Sequence, residues 1–207
     1  INDLTQNFLE DYEVGHERSE VANYGHYFLG SIIISQRNDK EFIIDGQQRL
    51  TTLTLLLIFL NNSQKNIPDN VMVNDLIFST KYGKKSFNLL IEERIPCMEA
   101  LFNQQKFEKN GHSESVTNIL DRYFDIESIF PDEIDDTALP DLLDWLLENV
   151  QFVKITAFTD EDAYTIFEPM NDRGLSLSPT DMLKGYLLAN ITDESKRRQA
   201  NDLMKTL

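Results

Sequence analysis

The spacing of apolar positions changes several times along the chain, and each change marks an element. Leu4, Phe8 and Leu9 recur at helical intervals, so residues 3–12 are predicted to be the tail of an amphipathic helix. Residues 15–25 are polar and loop-like. From Tyr27 to Ser35 the chain is β-branched and apolar, Gln36-Arg37-Asn38-Asp39 reads as a turn, and residues 41–44 form a second apolar run. That pattern predicts a β-hairpin. The second strand ends at Asp45-Gly46 and runs directly into helix formers from Gln47 to Asn61. This segment is apolar on nearly every side, which predicts the central buried helix of its domain.

The pattern is weaker from Asn62 to Gly111. Phe87, Leu89 and Ile91 alternate as in a short strand, and residues 95–109 read as helical. Val116, Ile119, Leu120 and Tyr123 form a helical stripe. Leu139, Leu142, Leu143, Leu146 and Val150 form another, with Asp141, Asp144 and Glu148 off it. Val153, Ile155 and Ala157 alternate with polar residues and predict a strand. Ala163, Ile166, Phe167 and Met170 predict a helix. A last helix is predicted to open at Ser178-Pro179-Thr180-Asp181, with a serine cap, proline at the first position and an early acid. No repeat or low-complexity linker appears. The reading is α+β, a small β-containing front end followed by a mostly helical region.

Composition narrows the function. A hydrophobic fraction of 41% over 207 residues supports a core and excludes wholesale disorder. The longest apolar run, Leu53 to Leu60, contains a threonine and falls far short of the ~20 residues that span a bilayer, so no membrane role is expected. Nineteen basic residues against thirty-five acidic ones give a net charge of −16. A domain that clamps DNA with its general surface needs the opposite field. Any nucleic-acid contact is therefore local, or is made by another part of a longer protein. The lone Cys97 fits a reducing, cytoplasmic setting. The chain opens at Ile1 in mid-pattern and reads as an excised piece.

Several chemistries drop out. His16, His26 and His112 lie at no metal-ligand spacing from one another or from Cys97, so no zinc site is expected, and an HNH nuclease centre lacks its histidines; no haem is expected either. Gly83-Lys84-Lys85-Ser86 resembles the end of a P-loop, but Phe78 stands where the first glycine belongs, so that signature fails. No Ser-His-Asp elbow is present.

The positive feature is Asp45-Gly46-Gln47-Gln48-Arg49-Leu50-Thr51-Thr52, where a strand gives way to a buried helix. A helix N-terminus presents unpaired N–H groups and a partial positive charge, which suits phosphate. Gly46 would let the backbone approach an anion, Gln47 and Gln48 add amide donors, Arg49 a two-pronged donor, and Thr51 and Thr52 hydroxyls. Asp45 is the only acid of the group, available to hold Mg²⁺ or to orient a water. The same residues also suit a purely structural role, with Asp-Gly as a turn, Asp45 as a helix cap and Arg49 in an ordinary ion pair.

A second cluster, Asn171-Asp172-Arg173-Gly174, joins two predicted amphipathic helices. It either turns the chain or returns Asn171 and Arg173 to the same phosphate-sized site. The acid-rich stretch from Arg122 to Lys154 reads as a solvated face, and Tyr24, Tyr27 and Phe28 read as hairpin packing.

Three blocks resemble a known family in their order: Tyr27-Phe28-Leu29-Gly30-Ser31-Ile32, Phe42 to Leu53 with the string Asp45-Gly46-Gln47-Gln48-Arg49, and Phe167 to Ser178. They look like the N-terminal domain of GmrSD-type, modification-dependent (type IV) restriction endonucleases of bacterial phage defence. The resemblance implies a ParB/sulfiredoxin-like fold, with residues 1–62 as a partial nucleotide-binding portion lacking its N-terminal block. Residues 63–207 would be a mainly helical portion carrying the Asn-Asp-Arg-Gly loop at 171–174. It implies a nucleoside triphosphate with Mg²⁺ at the junction. Asp45, Gln48 and Arg49 would be catalytic, and Gly46, Gln47, Thr51, Thr52, Asn171 and Arg173 would bind nucleotide. Hydrolysis would regulate cleavage of modified DNA by a separate HNH-type nuclease domain or subunit. The alternative is a non-hydrolysing module that senses nucleotide or DNA. In the sulfiredoxin branch a reactive cysteine stands at the comparable junction; here Gln47 and its neighbours stand there and Cys97 lies far off.

Overall fold

In a computed structural model, the structure describes residues 1–37, 40–159, 162 and 166. The fold is α+β, and the chain divides into two compact units, each discontinuous in sequence. One is Ile1–Gly30 with Gln48–Phe152, the other Ser31–Gln47 with Val153–Leu207. Among the described residues, no helix is long and apolar enough to cross a membrane.

The first unit is helical. Its elements are α1 (Asn2–Asp11), most of α2 (Gln47–Ser63), the single turn α3 (Asn74–Ile77), α4 (Ile95–Phe102), α5 (Glu114–Ile129) and α6 (Leu139–Glu148). Helix α2 buries Leu55, Leu56, Ile58 and Leu60, and joins Phe8, Cys97, Ile119, Tyr123, Leu142 and Trp145 in one core. Several buried polar side chains tie elements together. Asn62 Nδ2 donates to the Leu101 carbonyl (2.9 Å) and the Tyr123 hydroxyl (3.2 Å), tying α2 to α4 and α5. Gln64 holds Val71 as a neighbouring strand would, its amide donating to the carbonyl and its oxygen accepting from the N–H. Trp145 Nε1 donates to the Gly25 carbonyl (2.8 Å), and Asn149 Nδ2 to the Tyr24 carbonyl (2.7 Å).

Several elements differ from expectation. Phe87, Leu89 and Ile91 do not share a strand. Strand β4 (Lys84–Phe87) pairs back on β3 (Phe78–Lys81), and Asn88 Nδ2 then bonds the carbonyls of Asp75 and Leu76, which draws the chain off the sheet. Gly83-Lys84-Lys85-Ser86 thus lies in a hairpin, with no helix for a P-loop to open. The helix from Ile95 ends at Phe102 rather than continuing to Lys109. Gln104 turns left-handed (φ 55°), and the Gln105 and Gln104 N–H groups donate back to Ala100 and Leu101. That double bond pattern is a Schellman stop. The acid-rich stretch is not wholly solvated. Asp141 is buried, and desolvation raises its pKa from its ordinary value against the pull of Arg18. Asp144 accepts a forked bond from Arg18. Tyr24 is a core residue, but Phe28 is 64% exposed and packs little.

The second unit contains a three-stranded sheet in the order β2–β1–β5. Strand β1 (Tyr27–Arg37) enters this unit at Ser31, all of β2 (Lys40–Asp45) lies in it, and β5 (Val150–Ala157) enters it at Val153. β1 is central and pairs antiparallel with β2. Neighbours on both edges pair its backbone, and Ile32, Ile33, Ile34 and Ser35 are all buried, so both faces of the strand are covered there. Ile33 and Ala157 form its small core with Ile44, Ile155 and Ile166. Lys154 on β5 bonds Glu41 on β2 at 2.6 Å.

Candidate functional site

The strand-to-helix segment is built in two parts. In the second unit, β2 carries an irregularity one residue before its end. Ile34 pairs with Ile43 but Ile33 pairs with Asp45, leaving Ile44 as the extra residue of a bulge. A bulge breaks the two-residue alternation of side chains, so Asp45 is re-aimed relative to Ile43. Gly46 follows with φ +92°, a conformation that L side chains rarely adopt. A Cβ on Gly46 would lie 2.6 Å from Ile32 Cγ2. Its missing side chain therefore admits a buried isoleucine of β1, a different reason for glycine from the anion approach that the sequence alone points to. Gln47 folds back, its Nε2 donating to the Ile43 carbonyl at 2.9 Å. Asp45, Gly46 and Gln47 are thus a tight, pinned turn, with Asp45 half-buried and Gln47 exposed.

In the first unit, the opening turns of α2 carry Gln48, Arg49, Thr51 and Thr52. Gln48 is exposed, Arg49 and Thr52 are half-buried and Thr51 is buried. The Arg49 guanidinium lies against Gly30 of β1, where a Cβ would meet its Cζ at 3.1 Å and Nη2 at 3.2 Å. Gly30 has φ +108°, so both its backbone and its bare face are used. This is the residue that reasoning from the junction misses. The signal was a glycine inside an apolar strand pattern, which marks a close backbone approach. No acid stands in the first turn of α2. The helix macrodipole places partial positive charge at this end of α2. Thr54 Oγ1, one turn further on, donates to the Leu50 carbonyl at 2.8 Å and serves the helix alone.

Asn171 and Arg173, the remaining candidates, lie outside the described residues, as does the capped helix expected from Ser178. The helix expected from Ala163 to Met170 is described only at Ile166, within a helix.

The family model for the GmrSD restriction endonuclease N-terminal domain matches residues 1–188. No curated protein matches the chain.

Proposed function

Since the chain belongs to the GmrSD restriction endonuclease N-terminal domain family, we propose that it binds a nucleoside triphosphate at the start of α2 and hydrolyses it. A role in a restriction system comes with the family. The finer reading is that turnover regulates a nuclease carried on a separate HNH-type domain or subunit, which acts on modified DNA.

The observation that supports a nucleotide here is the half-buried Arg49 guanidinium seated on Gly30 in the first, acid-free turn of a 17-residue helix. A guanidinium held by packing is pre-organised, and a fixed fork meets a phosphate with little ordering to lose. The N–H groups of Gly46, Gln47 and Gln48 and the free-reaching amide of Gln48 would hold the remaining phosphate oxygens. Thr52 is the more accessible of the two threonines; the buried Thr51 would support the turn. Asn171 and Arg173 belong to the proposal on sequence grounds, closing the site from a distant part of the chain.

A single half-buried carboxylate fits Mg²⁺ that arrives on a polyphosphate, since this ion commonly takes one or two protein carboxylates beside phosphate oxygens and water. Asp45 would hold it, and the ion would neutralise phosphate charge. Positioning and charge neutralisation carry most of phosphoryl transfer, so few reactive side chains are needed.

The test is phosphate release from ATP and GTP with Mg²⁺, on this chain and on one extended to carry the family's upstream block. Arg49→Ala is expected to slow turnover by about 10²-fold, the usual effect of losing one charge-stabilising donor. Equal turnover by Arg49→Ala would overturn the assignment. Thermal stabilisation by a triphosphate without phosphate release would instead identify a nucleotide sensor.

A further inference from the structure

The chain's acidity is uneven. From Leu76 to Ile91 there is no Asp or Glu, although the whole sequence carries thirty-five, and the stretch holds Lys81, Lys84 and Lys85. The fold turns this stretch into the β3–β4 ribbon. Its register sets Phe78 opposite Phe87, Ser79 opposite Ser86, Thr80 opposite Lys85, and Lys81 opposite Lys84. Tyr82 and Gly83 close it with φ 53° and 73°, the pair of positive angles of a type I′ hairpin turn.

The root of the ribbon is rigid and its tip stands in solvent. Phe78 and Phe87 are buried with ring centroids 4.4 Å apart, and Phe102 of α4 meets Phe78 edge-on at 4.8 Å. The Asn88 N–H donates to the Ile77 carbonyl at 2.9 Å and locks the base. Tyr82, at the tip, is 94% exposed, and Ser79, Thr80, Lys85 and Ser86 are exposed along the ribbon. Lys85 Nζ sits 3.7 Å above the Phe78 ring and 4.7 Å above that of Phe102. Those rings hold the ammonium in place without neutralising it. Lys81 and Lys84 are opposed in the register of the two strands, next to the turn.

We propose that the β3–β4 hairpin is the element of this domain that contacts duplex DNA, its lysines meeting backbone phosphates and its hydroxyls adding donors. A two-stranded ribbon fits the major groove, and hydroxyls and ammonium groups are phosphate-directed donors. A local cationic ribbon reconciles a DNA partner with a net charge of −16. The proposal rests on the family's role in DNA restriction and is independent of nucleotide hydrolysis.

The experiment is fluorescence anisotropy of a 25-base-pair duplex titrated with the chain at salt concentrations from 25 to 100 mM. Three phosphate contacts give a log–log salt slope of about −2.7, a loss of roughly 40-fold across that range. Lys81→Gln/Lys84→Gln is expected to weaken binding at least tenfold and flatten the slope by about 2. Lys65→Gln/Lys106→Gln removes the same charge from two exposed positions outside the hairpin and should leave binding unchanged. If the hairpin pair unfolds, Lys85→Met removes a charge while keeping an apolar stem over Phe78. No binding at 25 mM, equal loss in both lysine pairs, or equal competition by poly-glutamate or single-stranded RNA would each overturn the proposal. Triphosphate thermal shifts run on the same variants separate the two readings. The hairpin variants should keep them, whereas Arg49→Ala should lose them and keep DNA binding.

Discussion

Gly46→Ala tests whether the turn that sets the site is held by packing. The φ of +92° makes any side chain strained there, and the left-handed backbone costs an L residue about 1–2 kcal/mol. The added methyl would also stand 2.6 Å from Ile32 Cγ2 and 3.2 Å from its Cβ. Ile32 is only 6% exposed, so it has no solvent to retreat into. Overpacking of this kind costs about 1–3 kcal/mol. The expected total, about 2–5 kcal/mol, is a large share of an ordinary domain's stability. Urea unfolding followed by far-UV circular dichroism reads it as a midpoint lowered by about 1–2 M with the slope unchanged. The second arm is the double-mutant cycle with Ile32→Ala, which deletes the clashing Cγ2. The double variant should be more stable than the sum of the single losses by about 1–3 kcal/mol. Gly30→Ala supplies the contrast, since its φ is also positive but its neighbour is the far end of Arg49. It should lose little beyond the backbone strain while displacing the guanidinium and weakening triphosphate binding. A Gly46→Ala protein within 0.5 kcal/mol of wild type, or additive losses in the cycle, would refute the packing argument.

Two further outcomes follow from the first unit. Asn62→Ala removes two buried bonds, to the Leu101 carbonyl and to the Tyr123 hydroxyl, so a loss of about 1–3 kcal/mol is expected. Tyr123→Phe leaves the Asn62–Leu101 bond intact and should lose less; thermal melts showing the reverse order would contradict this. Burial pushes the Cys97 thiol up to about 11, so the native state favours the neutral form. Its contribution to stability is whole below the ordinary thiol value and is lost as pH rises from about 9 through 11. Unfolding free energies of wild type and Cys97→Ala should therefore converge over that window. Thiol-reactive dye at pH 8 should label Cys97 only as fast as the protein opens, and prompt labelling of the folded chain would contradict its burial.

Much was legible before any coordinates. The β-branched, apolar run of Tyr27–Ser35 and the loss of any polar face in Leu53–Leu60 suffice for the hairpin and the buried helix. Hydrophobic periodicity is a local record of which faces meet a core. The β3–β4 hairpin was not legible, because its Tyr-Gly turn lacks the usual Asn-Gly or Asp-Gly signal, while Phe87, Leu89 and Ile91 imitate a strand. Nor was the stop at Phe102, since glutamine carries no preference that announces a left-handed cap.

For the candidate site the division is similar. By itself the sequence determined the strand-to-helix junction, the donors strung along it, the family blocks that contain it and the acidity that leaves any DNA contact either local or made by another part of a longer protein. Tertiary structure alone decided that Gly46 makes room for Ile32, that Gly30 seats Arg49, that Gln47 is turned back on Ile43, and that three lysines share one rooted ribbon. The physical reason is range. Propensity and periodicity act between residues a few positions apart, whereas a glycine's neighbour across a sheet or a guanidinium's resting place depends on segments that only the folded chain brings within a few ångströms.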